Sequence, residues 1–285
     1  MRKNLLTLLL LPLLSYTYVY AQQDNNMKTA YLSDGTAINA YVEKQPDGTY
    51  KLTIEDGSVF FFQENEISFN RTDRISQTST PGSSEHNGHE YVDLGLSVKW
   101  ATCNIGAENP GMHGNYFMWG DYAVNSNCSW STYLYCAGSG KNQTKYSTKK
   151  KTGYKGFVDN ISELEQGDDV AHVIWGGEWR MPTIYEMKEL QSRCSWNWER
   201  LNGVSGYKVT SRVPGYEGRY IFLPASGSCS EDKINGVGNE GSYWSNTLEV
   251  DDPENAHVLK FNIGNINLEW TDERCDGHTV RAVLR

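Results

Sequence analysis

One stretch constrains this chain more than any other. Residues 72–88, from Thr72 to Gly88, carry almost no apolar side chain. Such a segment cannot bury enough apolar surface to offset the entropy of fixing its backbone. Its Ser, Thr, Gly and Pro content reads as a flexible linker. The parts before and after it, residues 27–71 and 89–285, must then each build a core of their own. His86 and His89, at the linker's end, are three residues apart as metal pairs can be. No third ligand stands near them, and they are expected to be solvated.

The first part is dense in strand signals. Asp34-Gly35, Pro46-Asp47-Gly48 and Asp56-Gly57 are tight-turn sequences, because Gly accepts the positive φ that such turns require. They separate strands expected at 36–43, 50–55 and 58–63. In the second, Tyr50, Leu52 and Ile54 share a face. About five short strands in so short a span predict a small barrel or curled sheet.

The second part holds all nine tryptophans and all six cysteines. Its Trp, Tyr and Gly content and sparse helical periodicity predict irregular β structure with long ordered loops. One helix is clear. Thr183 with Glu186 spells a capping box, in which each side chain satisfies an orphan backbone N–H at the helix start. Ile184, Met187, Leu190 and Cys194 then recur on one face, so Cys194 is expected to point inward. Further on, 257–263 and 266–270 alternate around Gly264-Asn265, a two-residue hairpin signal. That register puts Leu259, Phe261 and Ile263 on one face, and Ile266, Leu268 and Trp270 on one face of the partner. Residues 279–284 read as a last strand. The class is α+β and β-rich, with two modules.

The N-terminus, Arg2-Lys3 followed by an uncharged apolar run to Ala21, has the pattern of a secretory signal peptide cut after Ala21. Pro12 and the short length argue against a membrane anchor. No cysteine stands near the cut to carry a lipid, and no later segment is apolar enough to span a bilayer. The net charge is −9, and losing Arg2 and Lys3 makes it more negative still. An acidic chain of this kind repels phosphate backbones, which excludes general nucleic-acid binding. Lys149-Lys150-Lys151 reads as a solvated loop. Export permits disulfides. The cysteines at 103, 128, 136, 194, 229 and 275 have no zinc-type spacing, and six allow 15 pairings.

Several blocks of the second part carry a resemblance. They are 90–107 (Glu-Tyr-Val-Asp-Leu-Gly-Leu-Ser-Val-Lys-Trp-Ala-Thr-Cys-Asn-Ile-Gly-Ala), Phe117-Met118-Trp119-Gly120-Asp121, and Asp168–His172 with Trp175-Gly176-Gly177. Trp179-Arg180-Met181-Pro182-Thr183, Phe222-Leu223-Pro224-Ala225 and Tyr243-Trp244-Ser245 complete the set. In this order they resemble the Fibrobacter succinogenes major paralogous domain family, over nearly all of 89–285. The resemblance implies a C-type-lectin-like fold, shared with formylglycine-generating, sulfatase-modifying enzymes, and a secreted, adhesion-like or ligand-binding role. It also implies a disulfide between Cys103 and Cys194, since the family's "Ala-Thr-Cys-Asn" cysteine tends to accompany one at the end of the "Arg-Met-Pro-Thr" helix. More weakly, 27–70 is similar to a small β module of Bacteroidetes envelope proteins.

Each chemistry that this fold could host makes a demand on the residues. Lectins of the fold chelate calcium with a Glu-Pro-Asn or Gln-Pro-Asp loop and a Trp-Asn-Asp strand. Gln45-Pro46-Asp47 has the letters but falls in a turn of the first module. In the second, Trp244-Ser245-Asn246 replaces the strand motif, and the acidic loop Asp251-Asp252-Pro253-Glu254-Asn255 lacks the order. Calcium at that loop is a minor alternative to a solvated turn, and otherwise no cofactor is expected. The oxidase chemistry needs a reactive cysteine pair near the C-terminus, and Cys275 stands alone there, with Ala282 where those enzymes carry a cysteine. His172, His257 and His278 are scattered. No Gly-x-Ser-x-Gly elbow is present. Glu163, Glu165, Asp168 and Asp169 read as a capped turn rather than a catalytic pair.

Binding remains. Aromatic rings stack on sugar faces or peptide chains, while Asn and Asp orient hydrogen bonds. Residues 243–270 concentrate both kinds: Tyr243, Trp244, Asn246, Asp251, Asp252, Glu254, Asn255, Asn267 and Trp270 are the candidate ligand-binding residues, accompanied by Asn262 and Asn265. Trp244 and Trp270 are equally read as core. The expected function is a non-catalytic binding or adhesion protein for a glycan or protein ligand, secreted to the periplasm, cell surface or medium. The alternatives are an enzyme related to the formylglycine-generating fold and a structural envelope or fimbrial component.

Overall fold

The computed structural model describes residues 27–32, 37–55, 57–63, 67–69, 82–125 and 127–285. The signal-peptide span, the Asp34-Gly35 turn, Asp56 and most of the linker span lie outside the described residues.

The small unit is an antiparallel sheet of five strands: β1 (Lys28–Leu32), β2 (Ala37–Lys44), β3 (Tyr50–Thr53), β4 (Val59–Phe62) and β5 (Ile67–Ser68). Their order across the sheet is β4-β3-β2-β1-β5. Period-two alternation places Ala30, Ala40, Leu52 and Ile67 inward, and Tyr50 and Ile54 pack against them as their shared face requires.

The large unit starts earlier than composition suggests. β6 (Ser83–His86) pairs with β7 (His89–Val92) through a two-residue turn at Asn87-Gly88. Both turn residues have positive φ, 50° and 79°, the backbone for which Asn-Gly is the preferred hairpin sequence. The end of the polar stretch is therefore an ordered hairpin. Nor are its histidines solvated. His89 stacks on Trp175 with ring centroids 3.9 Å apart, and burial pushes it below the ordinary histidine range. The carbonyl of His86 accepts from Trp179 Nε1 at 3.0 Å, and its Nε2 accepts from the Glu178 amide at 3.2 Å.

β7 continues the sheet to β8 (Lys99–Ala101) and β18 (Val283–Leu284). The described residues of 102–169 form no regular strand or α-helix. Two buried arginines organise this irregular region. The Arg274 side chain donates to carbonyls of Lys145, Tyr146 and Pro253 and to the Tyr133 hydroxyl. Arg281 donates to Asn104 Oδ1 and to the carbonyls of Ala101, Thr102 and Phe222. A guanidinium offers five N–H donors in a fixed fork, which suits loop carbonyls that no ladder satisfies.

Helix α1 (Val170–Trp175) is short, and α2 (Ile184–Arg193) is the clear helix. The α2 capping box forms between Thr183 and Glu186, and Ile184, Met187, Leu190 and Cys194 are buried together. α2 packs on β9 (Cys194–Leu201) and on the hairpin of β14 (Glu240–Leu248) and β15 (Asn255–Asn262). β9 joins β10 (Val204–Ser211) and β11 (Tyr220–Pro224); β12 (Ser228–Ser230) pairs with β13 (Lys233–Asn235).

The β14–β15 hairpin lies between two cores. Tyr243, Leu259 and Phe261 face the core under α2, whereas Trp244, Val258 and Ala256 face a second core with Trp119, Trp175 and Trp179. A strand buried on both faces loses the alternation of a half-exposed one. Tyr243 and Trp244 are thus 1% and 0% exposed, and neither faces a ligand surface.

The following hairpin differs from the expected register by one residue. β15 turns into β16 (Asn265–Asn267) with Asn262 opposite Asn265, so the loop is Ile263-Gly264. Tyr207 holds this turn, its hydroxyl donating to the Asn262 carbonyl and accepting the Gly264 amide, each at 3.0 Å. Ile263 consequently sits at the tip, 70% exposed. The chain leaves β16 before reaching β17 (Thr271–Glu273), and Trp270 in that link is 54% exposed, with Lys260 Nζ 5.1 Å from its ring.

Candidate ligand cleft

β14 contains the local departure that builds the site. Its pairing with β15 is regular to Trp244, then shifts before Leu248. Such a bulge removes backbone groups from the ladder and re-aims side chains. Four groups here have partners outside the ladder. The Ser245 carbonyl accepts from Trp119 Nε1 at 2.9 Å. The Asn246 amide donates to the Pro182 carbonyl at 2.8 Å, and the Asn246 carbonyl accepts from the Leu164 amide at 3.0 Å. The Leu248 amide donates to Ser162 at 2.9 Å. Asn246 is thereby fixed between the α2 N-terminus on one side and the 162–166 segment on the other.

These segments enclose a cleft of about 320 Å³. Glu163, Gln166, Asp169, His172, Glu178, Arg180, Glu186, Asn246 and Arg285 supply its polar lining. Two of the acids are committed to structure. Asp169 caps α1, one oxygen accepting from the amides of Ala171 and His172 at 3.0 and 3.2 Å, the other from Met181 at 2.8 Å. Burial nevertheless pushes its carboxyl above the usual range. Glu186 receives both arms of the Arg180 fork, at 2.8 and 2.5 Å, and the Thr183 amide at 2.8 Å. Burial opposes its charge, but Arg180 and Thr183 outweigh that and hold it below the usual range.

The groups left to meet a ligand differ in kind. Asn246 is 6% exposed, and its Oδ1 accepts from Thr247 at 3.1 Å. Among the described residues its side-chain nitrogen has no hydrogen-bond partner. His172 and Gln166 lie 3.3 Å apart through Nδ1 and Nε2 on the rim, with Glu163, Glu178 and Arg285 exposed around them. No Ser or Cys side chain lines the cleft, and its threonine is taken by the cap. The arrangement offers fixed amide, imidazole and carboxylate groups for hydrogen bonding.

The other candidate residues fall elsewhere. Asp251 pairs with Lys149 at 2.9 Å, and Asp252 accepts from the Asn255 side chain at 3.1 Å, so the acidic loop is a turn satisfied by its own neighbours. Glu254, raised by burial and then by Asp252, would crowd any Cβ placed on Gly140, as would Trp130. Asn267 caps the Glu269 amide at 2.8 Å. No group of three metal-ligating side chains stands together among the described residues. Only Asn246 of the candidate set lines the cleft.

The remaining histidines occupy separate places. His257 lies 3.4 Å from Glu249, and burial lowers its pKa. His278, 1% exposed, packs its ring 4.2 Å from Trp244 and reaches Asp272 at 2.8 Å; Lys260 reaches the same oxygen at 2.5 Å. These are close contacts without hydrogen-bond alignment.

All six cysteines are free thiols in the structure, so the Cys103–Cys194 pair is not formed. Cys194 lies in the core under α2, where burial pushes it up to about 11. Cys103 lies against Thr102 and is also raised by burial. Cys275, solitary in sequence, clusters with Cys128 and Cys229 around Tyr133 and Met118. Burial raises Cys128 and Cys275 as well, the opposite of what a nucleophilic thiolate needs.

Comparison with protein-family models, curated proteins and solved structures finds no match to this chain.

Proposed function

We propose that this chain is a secreted or envelope-exposed binding protein, and that its large unit holds a hydroxyl-rich ligand, a glycan above all, in the cleft beneath Asn246. The reading joins the resemblance of 89–285 to the major paralogous domains, with their lectin-like fold, to the small barrel-like module that precedes it. The observation that carries it is Asn246 itself. A β-bulge turns this residue out of the ladder, two cleft walls fix its backbone, and its side-chain nitrogen has no hydrogen-bond partner among the described residues. A rigid amide in a concave polar site is the kind of group that orients sugar hydroxyls or peptide carbonyls. The Arg180–Glu186 and Asp169 contacts are internal, so they rigidify the cleft without competing for ligand.

A glycan and matrix-protein array, with and without calcium, tests this. Wild type is expected to bind a glycan without calcium. Asn246→Ala is expected to weaken that binding about tenfold or more, the loss of one good polar contact, while losing the Thr247 contact costs about 1 kcal/mol of stability and leaves the protein folded. Binding of matrix proteins alone would favour the protein-ligand form. Glycan binding indifferent to Asn246→Ala would move the site elsewhere.

A further inference from the structure

Three segments of the large unit meet at Gly277. Cys128 and Glu231 exchange backbone hydrogen bonds, at 2.6 and 2.8 Å, and Cys229 and Gly277 do the same at 2.7 Å each. The pairings bring Cys128, Cys229 and Cys275 into one buried cluster, each 2–4% exposed. None of them lines the cleft.

Within the cluster Cys128 and Cys229 lie on the same glycine. A Cβ on Gly277 would stand 2.6 Å from Cys128 Sγ and 2.8 Å from Cys229 Cβ, so both side chains converge on the space that glycine leaves open. The Cys229 sulfur lies 3.8 Å from the Glu231 carbonyl, on the residue whose backbone pairs with Cys128. Cys275 instead directs its sulfur to Glu273 Oε2 at 3.6 Å, and Cys136 points to the Trp130 carbonyl at 3.1 Å. Convergence of side chains from two cross-paired segments is what a disulfide requires.

We propose that Cys128 and Cys229 form a disulfide when the chain folds in the presence of an exchangeable disulfide. One cysteine, as thiolate, attacks a sulfur of the external disulfide and expels one of its thiols, giving a mixed disulfide. The other cysteine attacks the protein sulfur of that mixed disulfide and expels the second thiol. Two S–H groups lose two protons and two electrons, and the external disulfide is reduced to two thiols. The bond fastens the segment around Cys128 to the β12–β13 hairpin. In the folded protein burial keeps the Cys128 proton in place, so exchange belongs to the folding stage.

The test uses the full chain. It is refolded from denaturant in a buffer of oxidised and reduced glutathione, quenched in acid, alkylated under denaturing conditions and mapped by non-reducing peptide mass spectrometry. The expected result is a cross-linked peptide pair containing Cys128 and Cys229, lighter by two hydrogens than the reduced pair, and the loss of two alkylated cysteines relative to the reduced protein. Alkylation of all six cysteines after oxidative refolding overturns the proposal. So does a cross-link that joins either residue to another cysteine. Neither result depends on ligand binding, so this proposal stands or falls apart from the cleft.

Discussion

Replacing Asp272 with Asn should change the acid limb of stability and little else in shape. Asp272 sits between Lys260 at 2.5 Å and the buried His278 at 2.8 Å. Burial opposes its negative charge, but His278 and Lys260 prevail and draw its pKa from 3.8 to about 2. Because the folded value is depressed, this contribution is fully present above the unfolded pKa near 3.8. It is lost as pH falls through the folded value near 2. Roughly two pKa units at 1.36 kcal/mol each give about 2–3 kcal/mol at neutral pH. Asn keeps the size and removes the charge, so it resembles the protonated acid.

The assay is urea unfolding of both proteins at pH 7, 5, 3 and 2, followed by tryptophan fluorescence, with Trp244 beside His278 as a local reporter. The other carboxylates titrate in both proteins, so the difference between the two curves isolates Asp272. That gap should be about 2–3 kcal/mol at pH 7 and 5 and should close towards pH 2. A gap that stays constant across this range would refute the reasoning. It would mean that Asp272 matters through packing or polar contacts that its charge does not control.

Two further substitutions probe the scaffold. Arg281→Met removes a 1%-exposed guanidinium and strands the carbonyls of Ala101, Thr102 and Phe222. It should destabilise by about 3–5 kcal/mol, read by chemical denaturation, and a loss under about 1 kcal/mol would show those carbonyls to be satisfied otherwise. Gly88→Ala meets no atom within 4 Å, so its effect should come from the positive φ of 79° alone. A loss of about 1–2 kcal/mol in urea unfolding is expected, and an unchanged midpoint would place the turn in another conformation.

Local signals in the sequence translated well where the chain's nearest neighbours decide the outcome. The Thr183–Glu186 box and the buried face from Ile184 to Cys194 need only one helix turn of context. The shared face of Tyr50, Leu52 and Ile54 needs only the strand period. The Asn87-Gly88 hairpin carried the strongest short-range turn signal, yet the polar composition around it concealed it, because composition averages over a window wider than a turn. The Ile263-Gly264 loop shows the sensitivity of strands to register. One residue of offset leaves Leu259 and Phe261 inside but carries Ile263 out to the tip. The burial of Tyr243 and Trp244 was hidden for a different reason. Aromatic and Asn-rich strands look alike whether one face or both are covered, and only the second core shows that Tyr243 and Trp244 are covered on each side.

The cleft itself could not be read along the chain, since its lining comes from residues 163–186, from 246 and from 285. What unites them is the accounting of backbone groups around the β14 bulge. Ladder bonds abandoned after Trp244 must be remade in a buried place, because an unpaired buried carbonyl or amide costs about 1–3 kcal/mol. They are remade with Trp119, Pro182, Leu164 and Ser162, which belong to the irregular region and to the α2 cap. The same bonds that rescue the bulge therefore draw the cleft walls to Asn246 and set its side chain between them. Core packing and site geometry are one arrangement here: Trp244 anchors the strand in the second core, and two residues later the strand opens onto the cleft. A substitution that healed the bulge into a regular ladder would be expected to dissolve the cleft while leaving both cores in place.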